Sequence, residues 1–359
     1  MKIAIIGLGK IFEKHYLAIS NIKKFKLVAL CDNSPAAFKQ YSKKYKKLKE
    51  AKFYRSIKNM IDENRLDVII ILTPSGYHGL HIKQCAKKIK NIIVEKPLCL
   101  SFKDHQKITK MIKRYKNNLL VVKQNRTNNT MRLAKKLVDK KDFFGKIKLV
   151  TTRVRWNRDL KYFKQAPWRG KWNQDGGVLL NQASHHLDLL CWLSKDKLSE
   201  VTAYGINFIK EIEAYDTIVG NIKFKSGLIG NVEVTTGILP KNLEGSISIL
   251  GDKGSAIISG NNADKISHLY TKNKKYKKIF DQKNIDKVNL PNKFQQHYYF
   301  YKEAIDILKK RKKNTYNIEE AEKSIFLAHC CYKSAKLKKK IIVKKNNFIF
   351  DLLDRNIIK

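Results

Sequence analysis

The stretch Lys2-Ile-Ala-Ile-Ile6-Gly7-Leu8-Gly9-Lys10-Ile11-Phe12 decides the fold. Its apolar run is short and stops at glycine, which predicts a strand, and Glu13-Lys-His15-Tyr-Leu-Ala-Ile19 beyond it carries helical spacing. In a strand–turn–helix unit of this kind, Gly7 permits the tight turn. Gly9 lets the backbone approach a pyrophosphate, which then sits on the helix N-terminus, where free N–H groups and the macrodipole favour an anion. The third glycine of the dinucleotide pattern is replaced by Phe12, so helix and strand are expected to lie further apart.

The next apolar run, Lys26 to Cys31, ends in Asp32, about twenty residues beyond the glycines. From there a carboxylate accepts hydrogen bonds from adenosine ribose hydroxyls and repels a 2′-phosphate, which points to NAD rather than NADP. Alternation continues through strands at 67–72, 91–94 and 119–122 and helices over 78–88 and 101–115. This is an α/β pattern with a doubly wound parallel sheet. Open sheets of this kind bind ligands outside the carboxyl ends of their strands, which singles out Thr73, Pro74, Glu95 and Lys96. Pro97 fixes the turn that carries Lys96.

After a linking helix at 129–140 the period changes. Strands at 146–156, 201–208, 216–224, 228–235, 244–250 and 255–259 predict a large, mostly antiparallel sheet. The basic stretch 264–290 reads as loop or edge strand, and helices at 292–310 and 318–337 are expected to close this second domain. One face of so long a sheet would be bare in a monomer, so a homo-oligomer, dimer or tetramer, is expected through it. The expected organisation is an N-terminal Rossmann dinucleotide-binding domain over 1–122 and a C-terminal α+β domain over 123–359 for substrate binding and oligomerisation.

Within the second domain, Asp175-Gly-Gly177 precedes a run with helical apolar spacing, in which Asn181 and His185 stand four residues apart on one face. A continuous helix would aim an amide and an imidazole at one point. The loop before it, 158–175, carries Tyr162, Trp168, Arg169 and Trp172, a composition suited to contact with a ligand or a neighbouring subunit.

A chain of 359 residues that is 43% hydrophobic and 10% aromatic can bury a sizeable core. It lacks an apolar run of membrane-spanning length, and its first apolar run is too short for a signal peptide, so a cytoplasmic location is expected. Six cysteines (Cys31, Cys85, Cys99, Cys191, Cys330, Cys331) are scattered without a C-x-x-C pair, which suggests neither a metal site nor a disulfide framework. The formal net charge of +44 would fit a nucleic-acid partner. The lysines, however, are spread over the whole chain beside Asn and Ile, as coding bias in an AT-rich genome produces. No nucleic acid or membrane is expected as a partner; the general field favours an anionic small substrate.

These motifs resemble those of the Gfo/Idh/MocA oxidoreductases, the family of glucose-fructose oxidoreductase and inositol 2-dehydrogenase. The resemblance spans Gly7-x-Gly9, Cys31-Asp32, Thr73-Pro-Ser-Gly-Tyr-His78, Glu95-Lys96-Pro97, His185-x-x-Asp188, Leu250-Gly-Asp-Lys-Gly-Ser255 and Tyr332-Lys-Ser-Ala335. Val122-Lys-Gln-Asn-Arg126, Trp168-Arg-Gly-Lys-Trp172 and Asp175–His185 look closest to the UDP-N-acetyl-2-amino-2-deoxyglucuronate 3-dehydrogenases, which serve diacetamido uronic acids of lipopolysaccharide and O-antigen.

The resemblance implies that Lys96 and His185 are catalytic, with Asn181 beside them where many relatives have aspartate. It leaves open which of the first two is the base. It further implies cofactor contacts from Gly7, Leu8, Gly9, Lys10, Ile11, Asp32, Thr73, Pro74, His78, Glu95, Lys96, Gln124, Trp168 and Arg169. Substrate contacts would come from Lys96, Arg155, Tyr162, Asn181 and His185, and no metal is needed. Two other readings fit parts of the sequence. A relative acting on inositol or a free sugar would keep the cofactor motifs, and a non-enzymatic scaffold or nucleic-acid binder would explain the charge.

Overall fold

The computed structural model describes residues 1–343, so the last residues of the expected second domain, 344–359, lie outside it. The chain divides into two compact units, residues 1–124 with 294–321 and residues 125–293 with 322 onward.

In the first unit, β1 (Lys2–Ile6), α1 (Phe12–Ser20), β2 (Lys26–Cys31), α2 (Pro35–Lys44), β3 (Lys52–Tyr54), α3 (Ile57–Glu63) and β4 (Val68–Ile71) alternate. They are followed by α4 (His78–Ala86), β5 (Asn91–Val94), α5 (Phe102–Tyr115) and β6 (Asn118–Val121). Among the described residues the strands form a parallel sheet in the order β3-β2-β1-β4-β5-β6. The order reverses between β1 and β4, and at such a switch point two neighbouring crossovers leave on opposite faces and open a crevice. Alternate side chains of each strand serve opposite layers. Ile3, Ile5, Ile70, Ile93 and Leu120 join Phe12, Tyr16 and Ile19 of α1 in one core. Phe12 is fully buried there and its ring stacks on Tyr16, so an aromatic side chain fills the gap that a third glycine would have closed.

The second unit contains α6 (Asn129–Lys140), β7 (Ile147–Arg155), α7 (Leu160–Lys164), α8 (Gly177–Asn181), α9 (Ser184–Ser194), β8 (Leu198–Ile206), β9 (Thr217–Phe224) and β10 (Ile229–Thr235). After them come β11 (Glu244–Gly251), β12 (Gly254–Ser259), β13 (Lys265–Thr271), α10 (Lys274–Ile279) and α11 (Gln282–Asn289). With β14 (Ile341–Ile342), the described strands form a sheet in the order β13-β12-β11-β7-β10-β9-β8-β14. Its pairings are antiparallel except β7 with β10. Inward residues Ile247, Ile249, Ala256 and Ile258 pack with Met131 and Leu137 of α6 and Leu189 and Leu193 of α9. The basic stretch 264–290 supplies both the edge strand β13 and two helices, whose Tyr276, Phe280, Ile285 and Val288 pack on this core. On the opposite face Tyr204, Ile206, Val219, Ile229 and Ile257 stay exposed.

Helix α12 (Gln296–Leu308) departs from the expectation that it closes the second domain. Its Phe300, Tyr301, Ala304 and Ile305 join the core of the first unit, against α1. Helix α13 (Ile318–Leu337) follows, and the division between the units falls within it, after Ala321.

Candidate active site

The strand ends of the first unit carry Gly7, Asp32, Thr73, Pro74, Glu95 and Lys96, while Trp168 and Arg169 belong to the second unit. Gly7 has φ +99° and donates its N–H to the Cys31 carbonyl at 2.8 Å. A Cβ on Gly7 would lie 2.8 Å from the Leu72 carbonyl carbon, so this position excludes any side chain. Gly9 differs: a Cβ there would meet no atom within 4 Å. Packing therefore leaves the space above Gly9 open, as the approach of a pyrophosphate to the start of α1 requires. No side chain caps α1, so no side chain occupies the N-terminal end of that helix.

Asp32, just beyond β2, accepts from the Leu8 N–H at 2.6 Å through one carboxylate oxygen and from the Ser34 N–H at 2.8 Å through the other. It braces the glycine turn, and each oxygen retains a second lone pair for a ribose hydroxyl. A fixed carboxylate beside that sugar repels a 2′-phosphate. NADPH is expected to bind at least about tenfold more weakly than NADH, with Asp32→Ala narrowing the ratio. Fluorescence titration of both cofactors checks this, and equal affinities in the wild type would contradict the assignment.

Thr73 and Pro74 follow β4, half-buried, and Glu95 and Lys96 follow β5, with the Lys96–Pro97 peptide bond cis. Buried His78 turns its ring inward: Nδ1 is 2.7 Å from the Pro97 carbonyl oxygen and Nε2 2.8 Å from that of Thr73. It ties the end of β4 to the turn bearing Lys96, while burial pushes its pKa down. Glu95 is buried, with Oε1 2.9 Å from His15 Nε2, and Oε2 accepts the Lys96 N–H at 3.0 Å. Leu8 is buried, Lys10 and Ile11 open onto the surface of the glycine turn, and Gln124 starts a short 3-10 turn to Thr127.

In the second unit, Gly176 and Gly177 have φ +80° and +72° and launch α8. A Cβ on Gly177 would lie 2.8 Å from the Tyr332 hydroxyl, which accepts the Leu179 N–H at 2.7 Å. The helix predicted to run through Asn181 and His185 is instead broken at Gln182-Ala183. The Val178 carbonyl accepts from both the Gln182 and Ala183 N–H groups, the second widening the last turn, and α9 restarts at Ser184. Asn181 thus closes one helix and His185 opens the next; both are half-buried.

Asp188, three residues beyond His185, pairs with Arg126. Its carboxylate takes Arg126 in a bidentate pair, with Nε at 2.7 Å from Oδ2 and Nη2 at 2.8 Å from Oδ1. Both side chains are buried, and the guanidinium lies over the Trp192 ring at 5.0 Å. The pair anchors the first turns of α9, and with them His185, to Arg126 within the second unit.

Around Asn181 the loop residues gather. Gln182 donates to the Tyr162 hydroxyl at 2.8 Å and to Asn181 Oδ1 at 3.4 Å, and accepts from Arg158 Nε at 3.0 Å. Arg169 stacks on the Tyr162 ring, its guanidinium carbon 3.9 Å from the centroid, and on Trp168 at 5.4 Å. Gln182 links Tyr162 to Asn181, a role that no spacing rule pointed to. Arg155 stands apart from this cluster on the exposed sheet face, paired with Glu233 at 2.6 Å and Glu244 at 3.3 Å.

Residues 1–123 match an oxidoreductase family with an NAD-binding Rossmann fold, GFO/IDH/MocA, and residues 131–257 match the C-terminal domain of the same family. The chain belongs to the GFO/IDH/MocA oxidoreductases. Among solved members, the WlbA dehydrogenase of Chromobacterium violaceum, crystallised with NADH and UDP-GlcNAcA, is 32% identical. The match covers 97% of each chain with a TM-score of 0.88. The Bordetella pertussis WlbA dehydrogenase, also in complex with NADH and UDP-GlcNAcA, is 31% identical over 96% of this chain and 99% of that one, with a TM-score of 0.84. A 1-carboxy-3-chloro-3,4-dihydroxycyclohexa-1,5-diene dehydrogenase of Comamonas testosteroni is 26% identical over 237 residues. That alignment spans 57% of the relative's own length.

As a member of the GFO/IDH/MocA family, the chain is an NAD-dependent oxidoreductase. The open space over Gly9, the uncapped start of α1 and the braced Asp32 fit the cofactor. Among the described residues no helix is long and apolar enough to cross a membrane.

Proposed function

We propose that this enzyme oxidises the C3 hydroxyl of UDP-N-acetylglucosaminuronic acid to the 3-keto sugar. The observation that carries the reading is the 32% identity, over 97% of both chains, to a dehydrogenase crystallised with NADH and that sugar nucleotide. NAD, when bound, supplies the acceptor for the C3 hydride. Lys96 and His185 take the hydroxyl proton and orient the hydroxyl, with Asn181 as a further hydrogen-bonding group. A lysine works as a base near neutral pH when desolvation or neighbouring positive charge lowers its pKa.

The Arg158–Gln182–Tyr162 cluster beside Asn181 supports a polar, hydrogen-bonding substrate. In the cell the product would feed diacetamido uronic acids of a surface polysaccharide such as O-antigen. A substrate screen read at the NADH absorbance tests this, with 2-oxoglutarate or a trapping aminotransferase and glutamate present in case equilibrium favours the alcohol. Oxidation of the UDP-sugar is expected. Ready oxidation of inositol or a free hexose in its place would move the enzyme elsewhere in the family.

The exposed apolar residues Tyr204, Ile206, Val219 and Ile229 on one face of the second sheet support a homo-oligomer, dimer or tetramer, through that face. Sedimentation velocity is expected to give a mass well above one chain, reduced by Tyr204→Lys. A concentration-independent monomer would contradict it.

A further inference from the structure

Beneath the Lys96 turn, four side chains from three separated parts of the chain form a buried row. Tyr301 of α12 places its hydroxyl 2.6 Å from His15 Nδ1, His15 of α1 places Nε2 2.9 Å from Glu95 Oε1, and Glu95 Oε2 accepts the Lys96 N–H at 3.0 Å. His297 of α12 flanks the row, with Nε2 3.8 Å from Glu95 Oε1 and its ring edge-on to His15 at 4.6 Å. All four are buried.

The protonation pattern follows from the neighbours. Burial alone would raise the Glu95 pKa, but the hydrogen bond with His15 and the nearby His297 imidazole hold it well below the ordinary carboxylate range. A carboxylate can only accept, so His15 Nε2 carries a proton toward it. Burial also raises the Tyr301 pKa well above its usual value, so its hydroxyl keeps its proton and can donate to His15 Nδ1. The row thus runs Tyr301–His15–Glu95, with Lys96 N–H donating to the carboxylate from the other side.

We propose that His15, Glu95, His297 and Tyr301 form a strut that positions Lys96 for proton transfer, tying the helix after the glycine turn and the returning helix α12 to the catalytic turn. The role of Lys96 rests on the function proposed above; the strut itself does not. Donor atoms of His15, Glu95 and His297 lie within 4.8 Å of one another, a spacing that a metal ion could also use. The 2.9 Å contact between His15 and Glu95 is, however, of hydrogen-bond length and is bridged by a proton.

The test uses Tyr301→Phe, which removes one hydroxyl and keeps the ring, and Glu95→Gln, which removes the charge at constant size. Hydrogen–deuterium exchange at the Lys96 amide needs no substrate and judges the strut directly. It is expected to quicken about tenfold or more in both variants, as an amide does when its hydrogen-bond acceptor is loosened. With whichever alcohol the wild type oxidises, kcat is expected to fall about tenfold to a hundredfold in both variants, and in Tyr301→Phe with KM and NADH affinity within about threefold, as for a displaced reacting group. Unchanged Lys96 exchange in both variants would overturn the strut. So would native kcat per folded enzyme, or stoichiometric metal whose chelation abolishes turnover. Failure of the wild type to oxidise the UDP-sugar would instead sink the proposed substrate while leaving the exchange result to stand.

Discussion

Lys96→Met and His185→Ala are each expected to lower kcat by about 10² or more, the usual scale for losing a positioned acid–base group. Lys96 stands half-buried on the turn closing β5, its backbone held by Glu95, and His185 stands in the first turn of α9. NADH affinity should persist in His185→Ala, because the glycine turn, Asp32 and the strand edges all belong to the first unit. Steady-state kinetics with both variants checks this, and near-native turnover in both would remove the proposed centre.

Asp188→Ala is expected to cost about 3–5 kcal/mol, since it removes the carboxylate that a buried guanidinium meets in a bidentate pair. Arg126 is 4% exposed and donates twice to Asp188. For a unit of this size the loss corresponds to a melting temperature lower by about 10 °C or more. The double replacement Arg126→Met with Asp188→Leu should recover much of it, because a matched apolar pair removes both charges from the interior. Thermal melts of the three variants decide the matter. An unchanged melting temperature in Asp188→Ala would mean that the pair contributes nothing to stability.

Local chemistry made the first unit legible. Gly7, Gly9 and Asp32 occupy positions where backbone sterics and strand geometry leave few alternatives, and the alternation of strands and helices implied the doubly wound parallel sheet. Features that depended on distant partners could not be read in the same way. Arg126 meets Asp188 across 62 residues, and no local spacing signals that pairing. The periodicity of Phe300, Tyr301, Ala304 and Ile305 defines an apolar face on α12 but does not say which sheet it covers.

The break at Gln182-Ala183 escaped because Val178, Leu179, Leu180, Ala183 and Leu187 keep near-helical spacing across it, and all are buried. Arg155 illustrates a signal that was present. Val150, Thr152 and Val154 alternate as buried positions, which by period two turns Arg153 and Arg155 to the other face. In 264–290, lysines mask a helical pattern whose few apolar residues suffice to seat α10 and α11.

The central claim is hydride loss from C3 of the UDP-linked uronate, and isotope transfer tests it even where equilibrium favours the alcohol. UDP-N-acetylglucosaminuronic acid carrying deuterium at C3 would be incubated with enzyme and NAD, and the nicotinamide cofactor analysed by mass. Deuterium in the reduced cofactor, with a 3-keto sugar or its trapped amine as the other product, is the predicted result. Unlabelled cofactor throughout, while inositol or a free hexose deuterated at its reacting carbon transfers label, would contradict it.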